Sequence, residues 1–344
     1  MKKKRRARIG YKPLFVVLQL LLIGSIWQSA MRGIETREYG PIGRTYTVGG
    51  HDSHMYGAGA GPSTVVFLAG AGTPSAYTDF YYLQNELKPY FRTISYDRPG
   101  FGWSKRTDAP RTIDTVAEEL RELLRLAGEQ PPYTLVGHSL ASLEAIRYAQ
   151  LYPDEVKGVM LLDGGSPEYY AEDSEMKSYA INRAFAALRT TGIVRALGAV
   201  GVKLPITGES IRNKSLPPEL RKLDAAMYYN HIGDSANLDV IKHINENART
   251  VIEGGSLRDI PLRIVSSDSG GQWEQVQKQL LLWSDRSQQV TLPYSDHYIH
   301  WSNREAVVAQ IREMLETADD VEPEPESESE SFSNYLEDSG LEAP

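Results

Sequence analysis

The chain has 344 residues, of which 41% are hydrophobic and 24% are charged, so it can form one large globular domain with an insertion or two domains. Its formal net charge is −8, and an acidic balance of this kind gives no indication of nucleic-acid binding. The sequence contains no cysteine, which excludes disulfides and metal sites built from thiolates.

The chain begins with a basic segment followed by an apolar one. Residues 1–12 carry seven Lys or Arg residues and no acid. The apolar stretch within residues 13–31 corresponds to roughly 27 Å of helix at about 1.5 Å per residue, enough to cross a bilayer. Because basic residues stay on the cytoplasmic side, we expect a single-pass anchor in the cell membrane with the rest of the chain outside the cytoplasm. A cleaved signal peptide is the alternative interpretation.

Short apolar runs alternate with helical patterns in the middle of the chain. A Gly-rich turn at Gly49–Ser53 separates the first two predicted strands, and apolar residues recur at helical spacing in Thr112–Leu126. This alternation predicts an α/β fold with a mostly parallel twisted sheet and helices on both faces. The predicted strands are Arg44–Val48, His54–Tyr56, Thr64–Ala69, Arg92–Tyr96, Tyr133–Val136, Val156–Leu162, Leu262–Ser266 and Gln288–Leu292.

One connection between strands is far longer than a simple crossover requires. Residues 164–258 have a helical pattern without a clear strand, whereas ordinary connections in such sheets take about 2–6 residues plus a helix. We expect a helical cap here, inserted between a first part of the core at residues 32–163 and a second part at residues 259–318. Residues 319–344 carry ten Asp or Glu residues and no base, which predicts an acidic disordered tail.

The most informative motif is Gly137-His138-Ser139-Leu140-Ala141, which lies between a predicted strand and a predicted helix. Small residues on both sides of Ser139 permit a sharp turn that exposes its hydroxyl, with the following N–H groups aimed at the atom that the oxygen attacks. A serine hydroxyl is a poor nucleophile near neutral pH, so this reading requires a base close in space.

The order of several motifs along the chain resembles that of the α/β-hydrolase superfamily in its capped form, over about residues 40–318. Two positions depart from the family pattern: Ala141 stands where Gly is most frequent, and Ala69 replaces the usual His of a His-Gly pair. The motifs are the turn at Ser139, Leu68-Ala69-Gly70-Ala71-Gly72, the segment Tyr96–Ser104, and Ser295-Asp296-His297.

The resemblance implies a serine hydrolase that needs neither a metal nor an organic cofactor. Ser139 would form an acyl-enzyme on an ester, thioester, lactone or amide, and the substrate would be a small-molecule or lipid-like acyl compound. His297, which follows the last strand, is the expected base, with His300 as the competing residue. The expected oxyanion hole consists of the N–H groups of Leu140 and Ala71.

The acid that orients the base is left open between two aspartates. Asp163 ends a strand that we expect beside the strand of Ser139, so its carboxylate needs only a short reach to the imidazole. Asp268 follows the next strand in the usual family position, but it lies in a Ser/Gly-rich loop. We prefer Asp163 and keep Asp268 as the alternative.

Two other functions remain open at this stage. The fold could serve as a catalytically silent binding module, although such a module has no need of Ser139 and His297. It could also be an acyltransferase, because sequence does not separate transfer to an alcohol or amine from transfer to water. Five tyrosines in residues 164–258 could line a pocket or pack in the core: Tyr169, Tyr170, Tyr179, Tyr228 and Tyr229.

Overall fold

The computed structural model describes residues 11–202, residue 212 and residues 214–319. The basic segment predicted at residues 1–12 lies outside these residues except for its last two positions. The acidic tail predicted at residues 319–344 also lies outside them, except for its first residue.

A mixed eight-stranded sheet forms the centre of the fold, with the order β1-β2-β4-β3-β5-β6-β7-β8. Strand β2 pairs antiparallel with β1 and with β4, and every other neighbouring pair is parallel. The predicted α/β class with a mostly parallel sheet is therefore confirmed. The strands are β1 (Arg44–Val48), β2 (His51–Ala58), β3 (Thr64–Leu68), β4 (Arg92–Tyr96), β5 (Tyr133–His138), β6 (Val156–Leu162), β7 (Leu262–Ser267) and β8 (Ser287–Leu292).

The turn between β1 and β2 is shorter than predicted. The sequence predicts a turn over Gly49–Ser53, but β2 already begins at His51, which pairs with Val48. Gly49 and Gly50 have φ angles of 53° and 82°, the left-handed values that a two-residue hairpin turn requires. Because glycine adopts these angles without steric cost, the hairpin closes in two residues and the next three join the ladder.

Helices cover both faces of the sheet. On one face, Val66 and Leu68 pack with residues of α4 and α5, and on the other Val65 and Phe67 pack with residues of α2, α3 and α14. Alternate side chains of one strand thus enter the two halves of the core, as the pleat dictates. The helices before β7 that cover the sheet are α2 (Ala76–Asp79), α3 (Tyr81–Leu87), α4 (Ile113–Ala127) and α5 (Ala141–Leu151), and those after it are α12 (Gly271–Gln279), α13 (Ile299–Ser302) and α14 (Arg304–Asp319).

The long interval between β6 and β7 is helical, and no strand occurs in its described part. Short 3-10 turns also occur, at Pro153–Glu155 and Leu280–Trp283 outside this interval. We refer to residues 164–258 as the insertion. The helices whose bounds lie in its described part are α6 (Pro167–Glu172), α7 (Glu175–Thr190), α8 (Ile193–Ala199), α9 (Pro218–His231), α10 (Ser235–Lys242) and α11 (Ile244–Glu253).

The N-terminal apolar segment forms α1 (Tyr11–Glu38), a single helix of 28 residues. By length and composition alone it is long and apolar enough to cross a membrane, with a mean hydropathy of 1.8 in its most apolar window. Its large side chains, among them Leu18, Leu22 and Ile26, are more than half exposed to the surroundings. The helix continues well beyond the predicted span at residues 13–31.

The second half of α1 is bound to the insertion by buried polar groups. Arg195 of α8 donates to both carboxylate oxygens of Glu35 at 2.5 and 2.9 Å and to Gln28 at 2.8 Å. Asn230 also donates to Glu35, and Gln28 donates to the carbonyl of Tyr229. These bonds attach the apolar helix to the insertion at a fixed position.

We predict that breaking this network destabilises the protein strongly. Arg195→Met leaves the Glu35 carboxylate buried without its cation, which costs about 3–5 kcal/mol of unfolding free energy. The loss is measured by thermal and denaturant unfolding of the detergent-solubilised full chain, and Arg195→Met combined with Glu35→Leu should recover much of it.

A matched control is available on the surface. The ion pair of Arg121 with Glu155 has an arginine side chain that is 49% exposed, so Arg121→Met should cost less than about 1 kcal/mol. Equal losses at Arg195 and Arg121 would contradict the role assigned to the buried network.

Candidate active site

Ser139 lies in a sharp turn between β5 and α5, in the backbone conformation that the sequence motif predicts. Its φ angle is 55°, an uncommon value for a residue with a Cβ atom. The turn is fixed because the Ser139 N–H donates to the carbonyl of Leu162 at 3.1 Å. A Cβ atom at Gly137 would approach the carbonyl oxygen of Ala141 to 2.9 Å, so the residue two positions before Ser139 must be small.

The structure brings Ser139, His297 and Asp163 into one continuous hydrogen-bonded chain. His297 Nε2 lies 2.9 Å from Ser139 Oγ, and His297 Nδ1 lies 2.7 Å from Asp163 Oδ2. An ionised carboxylate only accepts, so Nδ1 carries the proton and Nε2 offers its lone pair to the serine hydroxyl. This arrangement can remove a proton from Ser139 as its oxygen attacks an electrophile.

Asp163 is fully buried at the end of β6, and four groups donate to its carboxylate. Besides His297, the donors are the Ser267 N–H at 2.7 Å, the Gln277 side chain at 2.5 Å and the Trp273 indole at 2.9 Å. Burial raises the pKa of this carboxyl, but the bonds from His297 and Ser267 outweigh burial and hold the pKa below its usual value. Asp163 therefore stays ionised near neutral pH.

Asp268 occupies a different environment. Its carboxylate is exposed and accepts from the N–H groups of Tyr294 at 2.6 Å and Ser295 at 3.0 Å. These backbone bonds lower its pKa. Asp268 thus ties the loop before His297 to the end of β7, whereas Asp163 makes the hydrogen bond to His297.

Neither of the two histidines close to His297 is among the residues that line the cavity at Ser139. His138 donates from Nε2 to the carbonyl oxygen of His297 at 2.9 Å. His300, the competing base in the sequence analysis, is 2% exposed and packs against His138, with their ring centroids 4.6 Å apart. The structure therefore brings His297, and not His300, to the Ser139 hydroxyl.

A cavity of about 430 Å³ opens over Ser139. Ala71 and Leu140, the predicted oxyanion-hole residues, both line it beside Ser139. Helices α6, α7 and α11 of the insertion supply part of its wall. The insertion contributes Tyr169, Tyr170, Asp173, Ser178 and Ile244 to the lining. Ser269 and Trp273 also line the cavity, in addition to the core residues named above.

The five tyrosines singled out in the sequence divide into three groups. Tyr169 and Tyr170 line the cavity, Tyr228 and Tyr229 pack with Phe185 in a separate cluster of the insertion, and Tyr179 is exposed. Burial raises the pKa of Tyr170, so its phenol is neutral near neutral pH. Of the two roles that the sequence leaves open for Tyr170, the structure shows the one in the pocket.

Two residues that support Asp163 were not identified from the sequence. Trp273 and Gln277 both lie on α12 and both donate to the same carboxylate. Their spacing of four residues is the available signal, since it places two polar-tipped side chains on one face of a helix. That signal becomes useful only once α12 is known to lie beside the end of β6.

Comparisons with known proteins agree with this architecture. A family model described as "alpha/beta hydrolase fold" matches residues 63–193. The uncharacterised protein YbdG of Bacillus subtilis is 34% identical over 128 residues, which cover 37% of this chain and 39% of that protein. The match thus spans well under half the length of this relative.

Longer but weaker similarities extend over most of the chain. An AB hydrolase superfamily protein of Gibberella zeae is 23% identical over 287 residues, covering 74% of this chain and 86% of that protein. The solved structure of a thermophilic esterase from Thermogutta terrifontis superposes with a TM-score of 0.61 at 18% identity, covering 80% of this chain and 98% of that chain. With the strand order and the turn at Ser139, these findings show that the chain has the α/β-hydrolase fold.

Proposed function

We propose that the protein is a serine hydrolase that cleaves an ester-type bond through an acyl-enzyme on Ser139. The observation that carries this proposal is the aligned chain of contacts from Ser139 Oγ through His297 to the buried carboxylate of Asp163, at 2.9 and 2.7 Å. A nucleophile, a base and an orienting acid in this order are the minimum that acyl transfer requires.

The proposed reaction has two half-reactions, acylation of Ser139 and deacylation by water. His297 Nε2 takes the proton of Ser139 while Oγ attacks the acyl carbon, and Asp163 stabilises the imidazolium that forms. The imidazolium then donates its proton to the leaving group, and water repeats the sequence to release the acid. The N–H groups of Leu140 and Ala71 are the proposed donors to the developing oxyanion, each contributing about 3 kcal/mol to the lowering of the barrier.

The substrate we propose is a small-molecule or lipid-like acyl compound. Aromatic and aliphatic side chains (Tyr169, Trp273 and Ile244) share the cavity wall with the polar Ser178 and Asp173, which suits an amphipathic molecule. The similarity to an esterase fold supports an ester, thioester, lactone or amide bond, and residues 164–258 act as the cap that selects among them.

We also propose that α1 is a single-pass anchor in the cell membrane and that the hydrolase body lies outside the cytoplasm. The proposal is supported by the apolar length of α1 and by the seven basic residues within residues 1–12, which favour the cytoplasmic side. Residues 32–163 and 259–318 would then form the exported core.

The nucleophile can be tested with a covalent probe. Ser139→Ala should abolish labelling by a fluorophosphonate and lower the turnover of a p-nitrophenyl ester by several orders of magnitude, because triad members act as a unit. The control is Ser235→Ala, which changes an exposed serine at the start of α10, outside the cavity lining, and should keep the labelling. A wild-type protein that resists the probe would favour the silent binding module, and product transfer to an added alcohol would favour the acyltransferase.

The assignment of the acid gives a second test. Asp163→Asn removes the charge and favours the wrong tautomer of His297, so kcat should fall by roughly 10²–10⁴. Asp268→Asn should cost less than about tenfold, because an exposed carboxylate adds only a weak field at the imidazole. Circular dichroism and thermal unfolding check that both variants fold. A crippled Asp268→Asn beside a nearly active Asp163→Asn would reverse the assignment.

The topology gives a third test that does not depend on catalysis. Protease added to intact cells should digest the folded body only if residues 32–344 are outside the cytoplasm. Cleavage is followed with an antibody against the body, and permeabilised cells provide the positive control. Full protection in intact cells would contradict the proposed orientation.

A further inference from the structure

Three potential metal-binding atoms converge in the interior behind His297. One potential ligand atom each of Asp79, His138 and His300 lies within 4.8 Å of the other two. Asp79 Oδ2, His138 Nδ1 and both ring nitrogens of His300 make no hydrogen bond, although Asp79 Oδ2 and His300 Nε2 are 3.3 Å apart and each residue is only 2% exposed. Buried polar atoms are nearly always paired, so three unpaired atoms facing one another indicate a missing bonding partner.

The tautomer of His138 follows from its other contact. A carbonyl oxygen only accepts hydrogen bonds, so the Nε2 atom that contacts the His297 carbonyl carries the proton. With the proton on Nε2, the unpartnered Nδ1 is the ring nitrogen that carries the lone pair, the form in which imidazole binds a metal.

The charges around this point leave room for a cation. Arg212 is fully buried between two carboxylates, 3.2 Å from Asp224 and 3.4 Å from Asp79 Oδ1. Trp301 also donates to Asp79 Oδ1, at 3.3 Å, so Oδ2 is the oxygen left for a ligand. Among the described residues, two carboxylates and one guanidinium meet here, and a buried charge is costly unless it is paired, so a bound cation fits the charges around Asp79.

We propose that Asp79, His138 and His300 bind one divalent transition-metal ion, with zinc as the best match. Two imidazole nitrogens and one carboxylate oxygen are a common donor set for zinc, and the absence of thiolates leaves nitrogen and oxygen as its ligands. Ligand atoms at about 2.0–2.1 Å from a tetrahedral zinc are about 3.3 Å apart. His300 Nε2 and Asp79 Oδ2 are 3.3 Å apart.

The competing explanation is a proton on His300. An imidazolium would place a positive charge beside Asp79 Oδ2, which lies 3.3 Å from His300 Nε2. That contact does not have hydrogen-bond geometry, and a proton on His300 would also leave His138 Nδ1 without a partner. A metal ion satisfies the three convergent atoms together.

The ion would have a structural role rather than a catalytic one. It would bind Nδ1 of His138, whose Nε2–H holds the backbone of His297, and so it would fix the loop that carries the proposed base. No step of the proposed hydrolysis involves this ion. The site also stands without the proposed function, because its three side chains do not contact the Ser139 hydroxyl in the part of the chain that the structure describes.

The test is the metal content of the full-length protein, purified in detergent without a polyhistidine tag. Inductively coupled plasma mass spectrometry should find about one zinc ion per chain. His300→Ala and Asp79→Asn should each lower this content at least about tenfold. His243→Ala is the matched control, because His243 is a partly buried histidine at the end of α10, outside the cluster, and should keep the ion.

A second measurement uses the wild-type protein and tests the proposal even if the variants do not fold. Wild-type protein stripped with a chelator should show a lower Tm that added zinc restores, because a metal that binds only the folded state stabilises it. Less than about 0.1 ion per chain in wild type, with no change of Tm on adding zinc, cobalt or nickel, would overturn the proposal and favour the protonated His300. Fluorophosphonate labelling of Ser139 reports on the proposed function separately, so the two failures are distinguishable.

Discussion

The buried carboxylate of Asp163 is the constraint around which the site is organised. A charge removed from water must be paired, and the four donors come from three places: one from β7, two from α12 and one from the loop of His297. Each donor has to reach the end of β6, so these three elements are held in one arrangement around it. Because the same carboxylate faces His297 Nδ1, the bonds that satisfy the buried charge also orient the ring toward Ser139.

The same rule explains two regions that sequence patterns did not reveal. Glu35 on the apolar helix is buried and meets Arg195, so a helix with the composition of a membrane anchor is bound to the insertion by charge. Asp79 is buried beneath the site and meets Arg212 on one oxygen only. In both regions the buried carboxylate needs a cationic partner, and this need determines which elements can be neighbours. Removing one partner should destabilise the fold, because the charge of the other is left buried and unpaired.

Local patterns predicted the features whose causes are local. Apolar runs predict the strands. Gly137 and Ala141, two positions before and two after Ser139, predict the turn, because a sharp turn there requires small residues close to the serine. The preference for Asp163 over Asp268 required only that β6 lies beside β5. The contacts of Trp273 with Asp163 and of Arg195 with Glu35 join residues 110 and 160 positions apart. No periodicity encodes such pairs, because they depend on how whole elements pack.

Neighbouring side chains of the turn motif face opposite sides of the sheet. Side chains alternate along β5, and Val136 packs in the cluster that contains Phe80 and Ile299. His138, two residues further, must therefore face the same side, where Asp79 and His300 lie. Ser139 then leaves the strand with a positive φ and faces the cavity instead. Adjacent residues of one motif thus belong to two polar sites, and the backbone carbonyl of His297, held by His138, is where those sites meet.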